Sequence, residues 1–166
     1  MGKNPTDRGK KGSKESVLVE GDGGPLGIVL AAANVNDQKL LRETIEAIVI
    51  ERPEPTAEQP QHLCLDASYD NPTGREAAAE GQYTPHIVPV RKEKRSKSRK
   101  RGHKARRWVV ERTLAWLCKC RAILVRYDKK DENFLGLLQL ACALIWYRRL
   151  YRSGRCDAKQ GRPTGS

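Results

Sequence analysis

Two acidic residues stand where a carboxylate could take part in chemistry. Asp66 closes HLCLD, a short apolar run that is typical of a strand, and the turn sequence ASYDN begins directly after it. In an α/β sheet, ligands collect at the carboxyl ends of the strands, so Asp66 is placed to bind one. Glu111 lies in RRWVVERTLAW and is the only acid between Glu93 and Asp128. A single carboxylate in an otherwise apolar and basic helix is the second candidate.

Each acid also has a structural alternative. Many strands end in Asp because its side chain caps the following turn, and Asp70 is interpreted in this way as a turn or helix-capping residue. Glu111 lies one helical turn from Arg107, so it could be a solvent-facing residue that pairs with Arg107 or with Arg112. The residues alone leave the functional and the structural interpretations open.

The basic residues are concentrated in one segment. The chain has a net charge of +12, which indicates a polyanionic partner. Segment 91–107 holds eleven Lys or Arg and one acid, a net of +10, while the rest has 21 basic and 19 acidic residues. Such a block repels itself and suits phosphate contacts, although a solubilising loop or a targeting signal is the alternative. The predicted DNA-binding residues of this basic linker are Arg95, Lys97, Arg99, Lys100, Arg101, Lys104 and Arg107.

Composition argues against several other classes of protein. The five cysteines are odd in number, irregularly spaced and preceded by no signal peptide, so a disulfide framework is not expected. Cys118 and Cys120 are two apart on a helix and face away from each other, which argues against a zinc site. The apolar run 134–147 has fourteen residues, fewer than the ~20 that span a bilayer. We expect that run to be a buried core helix and the chain to be cytosolic, with free thiols and no membrane partner.

The elements that position the two acids follow from the spacing of apolar residues. The runs SVLVE (16–20) and LGIVLA (26–31) predict two strands, and GDGGP between them predicts a hairpin turn. The later segments predict a helix from 37 to about 51, a strand at 62–66, a weak helix at 72–80, an edge strand at 86–90, and helices at 108–119 and 131–150. This alternation indicates an α/β fold, a short mixed sheet with covering helices. We predict one domain at 1–150 and a flexible tail at 151–166.

Five blocks of the sequence closely resemble a known group of enzymes. They are NPTDRGKKGSK, PLGIVLAAANVNDQKLL, LCLDASYD, RRWVVERTLAWL and LACALIWYRRL. The group is the insertion sequence 5 transposases, within the wider DDE-type family, with an insertion sequence 4-like catalytic domain. The blocks keep the family's order from about Gly2 to Leu150. The most specific part is RWVVERTLAWL, followed by the pair Arg126 and Tyr127 and then by LACALI.

The resemblance implies a fold, a site and an activity. The fold is ribonuclease H-like, with a catalytic Asp on the first strand, an Asp on the fourth and a Glu on a later helix. Asp66 matches the fourth-strand position and Glu111 the helix position, with the family's Arg at Arg107. Three such carboxylates hold two Mg²⁺ ions, or Mn²⁺, about 3.5–4 Å apart. The implied reaction is DNA strand cleavage and transfer, in which one ion activates the attacking hydroxyl and the other stabilises the departing oxygen.

The chain departs from the family's pattern in its first strand. In the family that strand precedes NPTDRGK and lies between the second strand, here SVLVE, and the fourth, here HLCLD. Asp7 is the nearest acid, but its loop setting makes it a poor substitute for the first Asp. We therefore expect a partial fold, with the first strand supplied by an upstream segment through frameshifting, or else lost by decay. Lys104 and Cys118 stand where the family has Tyr and Lys, whereas the family's Arg and Glu are kept at Arg107 and Glu111.

Three functions are weighed on these grounds. The first is a transposase of the bacterial nucleoid that acts on transposon ends and target DNA, as a homo-oligomer, and is inactive as the isolated chain. The second is a non-catalytic DNA-binding remnant, in which the basic linker, Trp108 and Tyr83 make the contacts. The third is a basic structural protein of a ribonucleoprotein, in which Asp66 and Glu111 are incidental.

Overall fold

The computed structural model describes residues 1–4, 8–87 and 107–160, with side chains as far as residue 152 except that of Arg107. The strands in these ranges are β1 Gly2–Lys3, β2 Lys11–Val19, β3 Pro25–Ala32, β4 His62–Leu65 and β5 Thr84–Ile87. The helices are α1 Asp37–Glu46, α2 Pro72–Glu80, α3 Arg107–Leu117, α4 Arg121–Leu124 and α5 Asp131–Gln160, with a 3-10 helix at Ala67–Tyr69. The predicted α/β class is confirmed.

Strands β2 and β3 form the antiparallel hairpin that GDGGP predicts. Ser13 pairs with Ala32 at the open end, and Val19 pairs with Pro25 beside the turn. Strand β2 begins earlier than predicted, because the polar residues 11–15 also pair with neighbouring strands. Pairing satisfies the backbone N–H and C=O groups whatever the side chains are, so a strand can extend beyond its apolar pattern.

Strands β4 and β5 form a separate parallel sheet, with His62 opposite Thr84 and Leu65 opposite Ile87. Helix α2 lies in the connection between them, as a parallel pair requires. Strand β5 begins at Thr84 rather than His86, and residues 88–90 of the predicted edge strand lie outside the described residues. The short mixed sheet that was predicted is divided into two small sheets, because no strand in the described ranges lies between β2 and β4, the place expected for the family's first strand.

Two apolar cores lie on opposite faces of the hairpin. The first core lies under α3, α4 and α5, and its fully buried side chains are Leu117 and Leu138. The second core is built by α1, β4 and α2 through Leu41, Leu63, Ala77 and Ala78. The neighbours Val17 and Leu18 of β2 join the first and second cores respectively, because successive side chains of a strand point to opposite faces. The hairpin is therefore the layer shared by both halves of the fold.

The helices on the second core begin where local signals place them. Asn36 caps α1 by accepting a hydrogen bond from Gln38 N at 3.1 Å. Asn71 caps α2, whose first residue is Pro72, and α2 has the predicted bounds. Helix α1 ends at Glu46 rather than near residue 51.

Helix α5 is buried on one side only, which corrects the expected buried core helix. Phe134, Leu138 and Ala141 pack in the first core, whereas Leu140 and Leu144 are exposed. The run 134–147 is apolar around the whole helix, so its composition could not indicate which side packs. The predicted domain end at residue 150 falls inside this helix, and residues 161–166 lie outside the described residues, so the flexible tail stays a prediction. None of the helices described has the length and apolar content that crossing a membrane requires.

Candidate active site

Asp66 directly follows β4 at its carboxyl end, as predicted. Its carboxylate accepts a hydrogen bond from Ala67 N at 2.7 Å and caps the 3-10 helix Ala67–Tyr69. The Asp66 side chain is exposed, whereas Leu63 on the same strand is buried in the second core. An ionised carboxylate has about four acceptor positions, so a capping hydrogen bond is compatible with a further role as a metal ligand. That further role stays a prediction.

The turn after Asp66 is held by hydrogen bonds among polar residues within the turn and the start of α2. Asp70 accepts hydrogen bonds from Arg75 Nη2 at 2.5 Å and from Arg75 Nε at 3.1 Å. Asn71, rather than Asp70, caps α2 by accepting from Gly74 N at 2.9 Å. Asp70 is therefore a structural acid of the turn, and the helix-capping role belongs to its neighbour.

Tyr69 lies beside Asp66, and it was not among the candidate site residues predicted from the sequence. Burial, and then the charges of Asp37 and Asp66, raise the pKa of the Tyr69 hydroxyl to about 12. A tyrosine hydroxyl is protonated at neutral pH even at its ordinary pKa, so this hydroxyl remains a hydrogen-bond donor, and the raised pKa extends that to more alkaline pH. The start of α1 reaches the same turn, because Gln38 Nε2 donates to the carbonyl of Ser68 at 2.6 Å. No local signal in the sequence links Asp37 to a turn thirty residues later, so only packing could reveal this neighbourhood.

Glu111 is exposed on α3. The buried side of this helix is formed by Val109, Thr113 and Leu117. Residues two apart on a helix are about 200° apart around its axis, so Glu111 faces away from Thr113 and the core. The exposed position agrees with the solvent-facing interpretation and also leaves the carboxylate accessible to a ligand.

The Arg112 side chain has contacts other than the predicted pairing with Glu111. Its Nη2 donates to the carbonyl of Asp22 in the hairpin turn. Its guanidinium carbon lies 4.5 Å from the ring centroid of Trp108 and 4.9 Å from that of Trp116. Arg112 therefore connects α3 to the turn, and a pairing of Glu111 with Arg107 involves a side chain outside the described set.

The two candidate acids are carried by different parts of the fold. Asp66 follows the parallel sheet at the second core, and Glu111 lies on α3, which packs on β2 and α5 beside the first core. Within residues 1–4, 8–87 and 107–160, no three His, Cys, Asp or Glu side chains form a group that could hold a metal ion. Asp7 lies outside those ranges.

Most of the predicted DNA-binding residues fall in the range 88–106, outside the described residues: Arg95, Lys97, Arg99, Lys100, Arg101 and Lys104. Arg107 is the first residue of α3, so the basic linker leads directly into the helix that carries Glu111. Trp108 is 46% exposed, whereas Tyr83 packs against the second core with the Arg52 guanidinium 4.3 Å above its ring. Trp108 is thus the more accessible of the two aromatic residues proposed for stacking.

The donor chemistry of Asp66 and Glu111 fits a hard divalent cation. Carboxylate oxygens are the ligands that Mg²⁺ and Mn²⁺ prefer, and both side chains are open to solvent. Two carboxylates are fewer than the ligands that a pair of ions needs, so these residues alone would supply only part of such a site.

Comparison with known proteins covers nearly the whole chain. Residues 2–146, which include both candidate acids, match the family model of the transposase DDE domain. A protein of Burkholderia cepacia that is assigned as a transposase for insertion sequence element IS402 is 35% identical over 154 residues. The aligned region covers 92% of this chain and 71% of that protein. No solved structure matches the chain.

Proposed function

This chain belongs to the family of transposase DDE domains, and we propose that it acts in DNA transposition as the C-terminal part of an insertion-sequence transposase. The proposed reaction is metal-dependent DNA strand cleavage and transfer at transposon ends, in the bacterial nucleoid. The observation that carries the proposal is the family match over residues 2–146, which includes an exposed Asp at a strand end and an exposed Glu on a later helix. Within the family we assign the chain to the insertion sequence 5 group.

The proposed fold is a partial ribonuclease H-like domain with an insertion sequence 4-like site. The antiparallel pair β2–β3 and the parallel pair β4–β5 support this assignment, since they stand as two separate sheets. On the side away from β3, the described strands pair with β2 only at Lys11 and Gly12, so residues 13–19 keep an open edge there. An upstream segment whose strand ends in Asp would pair between β2 and β4, join the sheets and supply the third carboxylate.

In this proposal the side chains have distinct tasks. Asp66 and Glu111 would hold Mg²⁺ or Mn²⁺, which when bound stabilises charge on the phosphodiester oxygens and makes a hydroxyl a better nucleophile. The Tyr69 hydroxyl, protonated beside Asp66, would provide a hydrogen-bond donor at that end of the site. The basic linker would bind the DNA backbone, and the exposed Trp108 that follows it would stack on an unpaired base.

The proposal is tested by completing the chain. Purified residues 1–166 are mixed with a supercoiled plasmid that carries the DNA flanking the gene, with and without the upstream segment, and Mg²⁺-dependent nicking is measured. We expect nicking only with the segment, and its loss in Asp66→Ala and Glu111→Ala. Glu76→Ala, which changes an exposed acid in the middle of α2, is the matched control and should keep full activity.

Three outcomes would contradict parts of this proposal. Nicking by residues 1–166 alone would show that the chain needs no further carboxylate. Full activity of Glu111→Ala in the completed protein would remove the proposed site. DNA binding without Mg²⁺, and without nicking even in the completed protein, would favour the non-catalytic DNA-binding remnant.

DNA binding itself is tested on the basic linker. Neutralising Arg95, Lys97, Arg99, Lys100 and Arg101 together should weaken binding uniformly across DNA sequences. It should also flatten the dependence of the binding constant on salt, because each phosphate contact contributes about −0.9 to that slope. Glu111→Ala should leave this slope unchanged.

A further inference from the structure

The turn between β2 and β3 is internally hydrogen-bonded and largely buried. Glu20 N donates to the carbonyl of Gly24 and Gly23 N donates to the carbonyl of Glu20, both at 2.9 Å. Gly23 has φ +89°, a left-handed conformation that favours glycine. The turn is also buried at Gly23, Gly24 and Pro25, whereas hairpin turns usually lie on the surface. Something therefore covers it.

Helix α3 covers one side of the turn. The Thr113 side chain is fully buried, and its hydroxyl donates to the carbonyl of Gly23 at 2.7 Å. Arg112 Nη2 donates to the carbonyl of the preceding residue, Asp22. Two adjacent residues of the helix thus hold two adjacent carbonyls of the turn, at a separation of ninety residues along the chain.

Helix α5 covers the other side. Trp146 Nε1 donates to the carbonyl of Pro25 at 2.7 Å. Arg149 Nη1 lies 2.9 Å from the carboxylate of Glu20, the residue just before the turn. The turn is therefore wedged between α3 and α5 and bonded to both.

The close fit leaves no room for side chains on the turn. A Cβ at Gly23 would lie 2.8 Å from Arg112 Nη2 and 3.1 Å from Thr113 Oγ1. A Cβ at Gly24 would clash with the Trp146 ring. The absence of side chains at the two glycines thus allows α3 and α5 to approach the turn closely, and the glycines also suit the conformation of the hairpin turn.

We propose that the turn 21–25 sets the position and rotation of α3, and that Arg112 and Thr113 are positioning residues for Glu111. The inference rests on the proposed function of Glu111 as a metal-binding carboxylate. A helix held at two adjacent residues can neither slide along its axis nor rotate about it, so the direction of the Glu111 side chain is set as well. Metal ligands tolerate little displacement, and a misplacement of about 1 Å at an active site can cost on the order of a hundredfold in rate.

The placement of α3 is tested by hydrogen exchange of residues 1–166, which requires neither metal nor DNA. Thr113→Val removes the hydroxyl that bonds to Gly23. The control is Thr44→Val, since Thr44 is the other buried threonine of the described part and bonds α1 to Ser16 of β2 at 2.7 Å. We expect Thr113→Val to speed exchange in 107–117 by about tenfold and to spare α1. Thr44→Val should do the reverse.

The consequence for Glu111 is tested in the completed protein by the Mg²⁺ dependence of plasmid nicking. Thr113→Val should raise the Mg²⁺ concentration for half-maximal rate by about tenfold, and Thr113→Ser should restore it, because serine keeps the hydroxyl. Thr44→Val should leave the Mg²⁺ dependence unchanged. If Thr113 had a purely structural role, Thr113→Val and Thr44→Val would change the Mg²⁺ dependence of nicking to the same extent.

Each result decides a different claim. Faster exchange spread over the whole chain in Thr113→Val, or an unchanged Mg²⁺ dependence, would overturn the positioning role. Full activity of Glu111→Ala would instead overturn the proposed function, while the exchange data would still decide whether the turn holds α3. If Thr113→Val fails to fold, Gly23→Ala carries the same two measurements, because its added Cβ would lie 2.8 Å from Arg112 Nη2. Slower or unchanged exchange in 107–117 for Gly23→Ala would contradict the inference.

Discussion

Asp66 and Glu111 are held in place by different kinds of contact. Asp66 is fixed mainly by residues close to it in the sequence: strand β4 before it, the hydrogen bond that its carboxylate accepts from Ala67 N, and the Asn71 cap of α2 a few residues later. A hydrogen bond from Gln38 of α1 to the carbonyl of Ser68 adds one distant contact to the same turn. Glu111 lies on a helix whose neighbours Arg112 and Thr113 bond to a turn ninety residues earlier. Asp66 depends mainly on local chain geometry, and Glu111 depends on the packing of distant elements.

This difference predicts which changes disturb which acid. Loss of a local cap should affect the surroundings of Asp66 and leave α3 intact. A change in the first core or in the hairpin turn should release α3, and with it Glu111, without altering the turn after β4. The following substitutions test this comparison, beginning with the largest expected effect.

Leu117→Ala should have the largest effect on the support of Glu111. Leu117 is 0% exposed at the end of α3, so truncation leaves a cavity in the first core and should lower the free energy of unfolding by about 3 kcal/mol. Urea denaturation measures the change. Leu124→Ala, at a residue that is 64% exposed, should cost less than about 0.5 kcal/mol, and an equal loss in both would contradict the assigned core.

Gly24→Ala should cost about 2 kcal/mol, because the added methyl group meets the Trp146 ring. The same substitution at Gly136, inside α5 with no atom within 4 Å of the added Cβ, should instead stabilise the protein by roughly 0.5–1 kcal/mol. Thermal unfolding of the two variants should shift in opposite directions. Stabilisation by Gly24→Ala would show that the turn is not wedged between the helices.

Asn71→Ala should cost about 1 kcal/mol, because Gly74 N loses its acceptor at the start of α2. Hydrogen exchange should quicken in α2 and in the turn after Asp66, and exchange in α3 should stay as it is. Asn71→Asp keeps a capping oxygen and should restore most of the stability. Faster exchange in α3 would show that the contacts that place Asp66 and those that place Glu111 are not independent.

Glu15→Gln should have the smallest effect, and that effect should depend on pH. Burial raises the pKa of the Glu15 carboxyl above its usual value of 4.5, so the folded protein binds this proton more tightly than the unfolded chain does. Stability of the wild type therefore falls as pH rises from 4.5 through the raised pKa. Glu15→Gln should stabilise the protein at neutral pH, and the gain should vanish below pH 4.5. A gain that persists in acid would assign it to a different cause.

Much of the fold could be predicted because its signals are local. Asn71 and Pro72 mark the start of α2, and GDGGP marks the hairpin turn, so both elements were placed correctly. The end of β4 next to Asp66 was also predicted, because an apolar run followed by turn residues is a local pattern. The exposed side of α5 was not predicted, since the helix is apolar all round and only its neighbours decide which side is buried.

The sequence by itself determined the elements, the concentration of charge in one segment, and the two acids as candidates, because turn chemistry, apolar spacing and charge act over a few residues. Only the tertiary structure decided that the start of α1 reaches the turn after Asp66, through the hydrogen bond that Gln38 Nε2 donates to the carbonyl of Ser68. It also decided that a buried glycine turn holds the helix of Glu111. The physical reason is that each of these contacts joins segments that are distant in the chain. The partners are selected by packing and by hydrogen bonds to backbone carbonyls, and a pattern of side chains along the sequence does not indicate either of these.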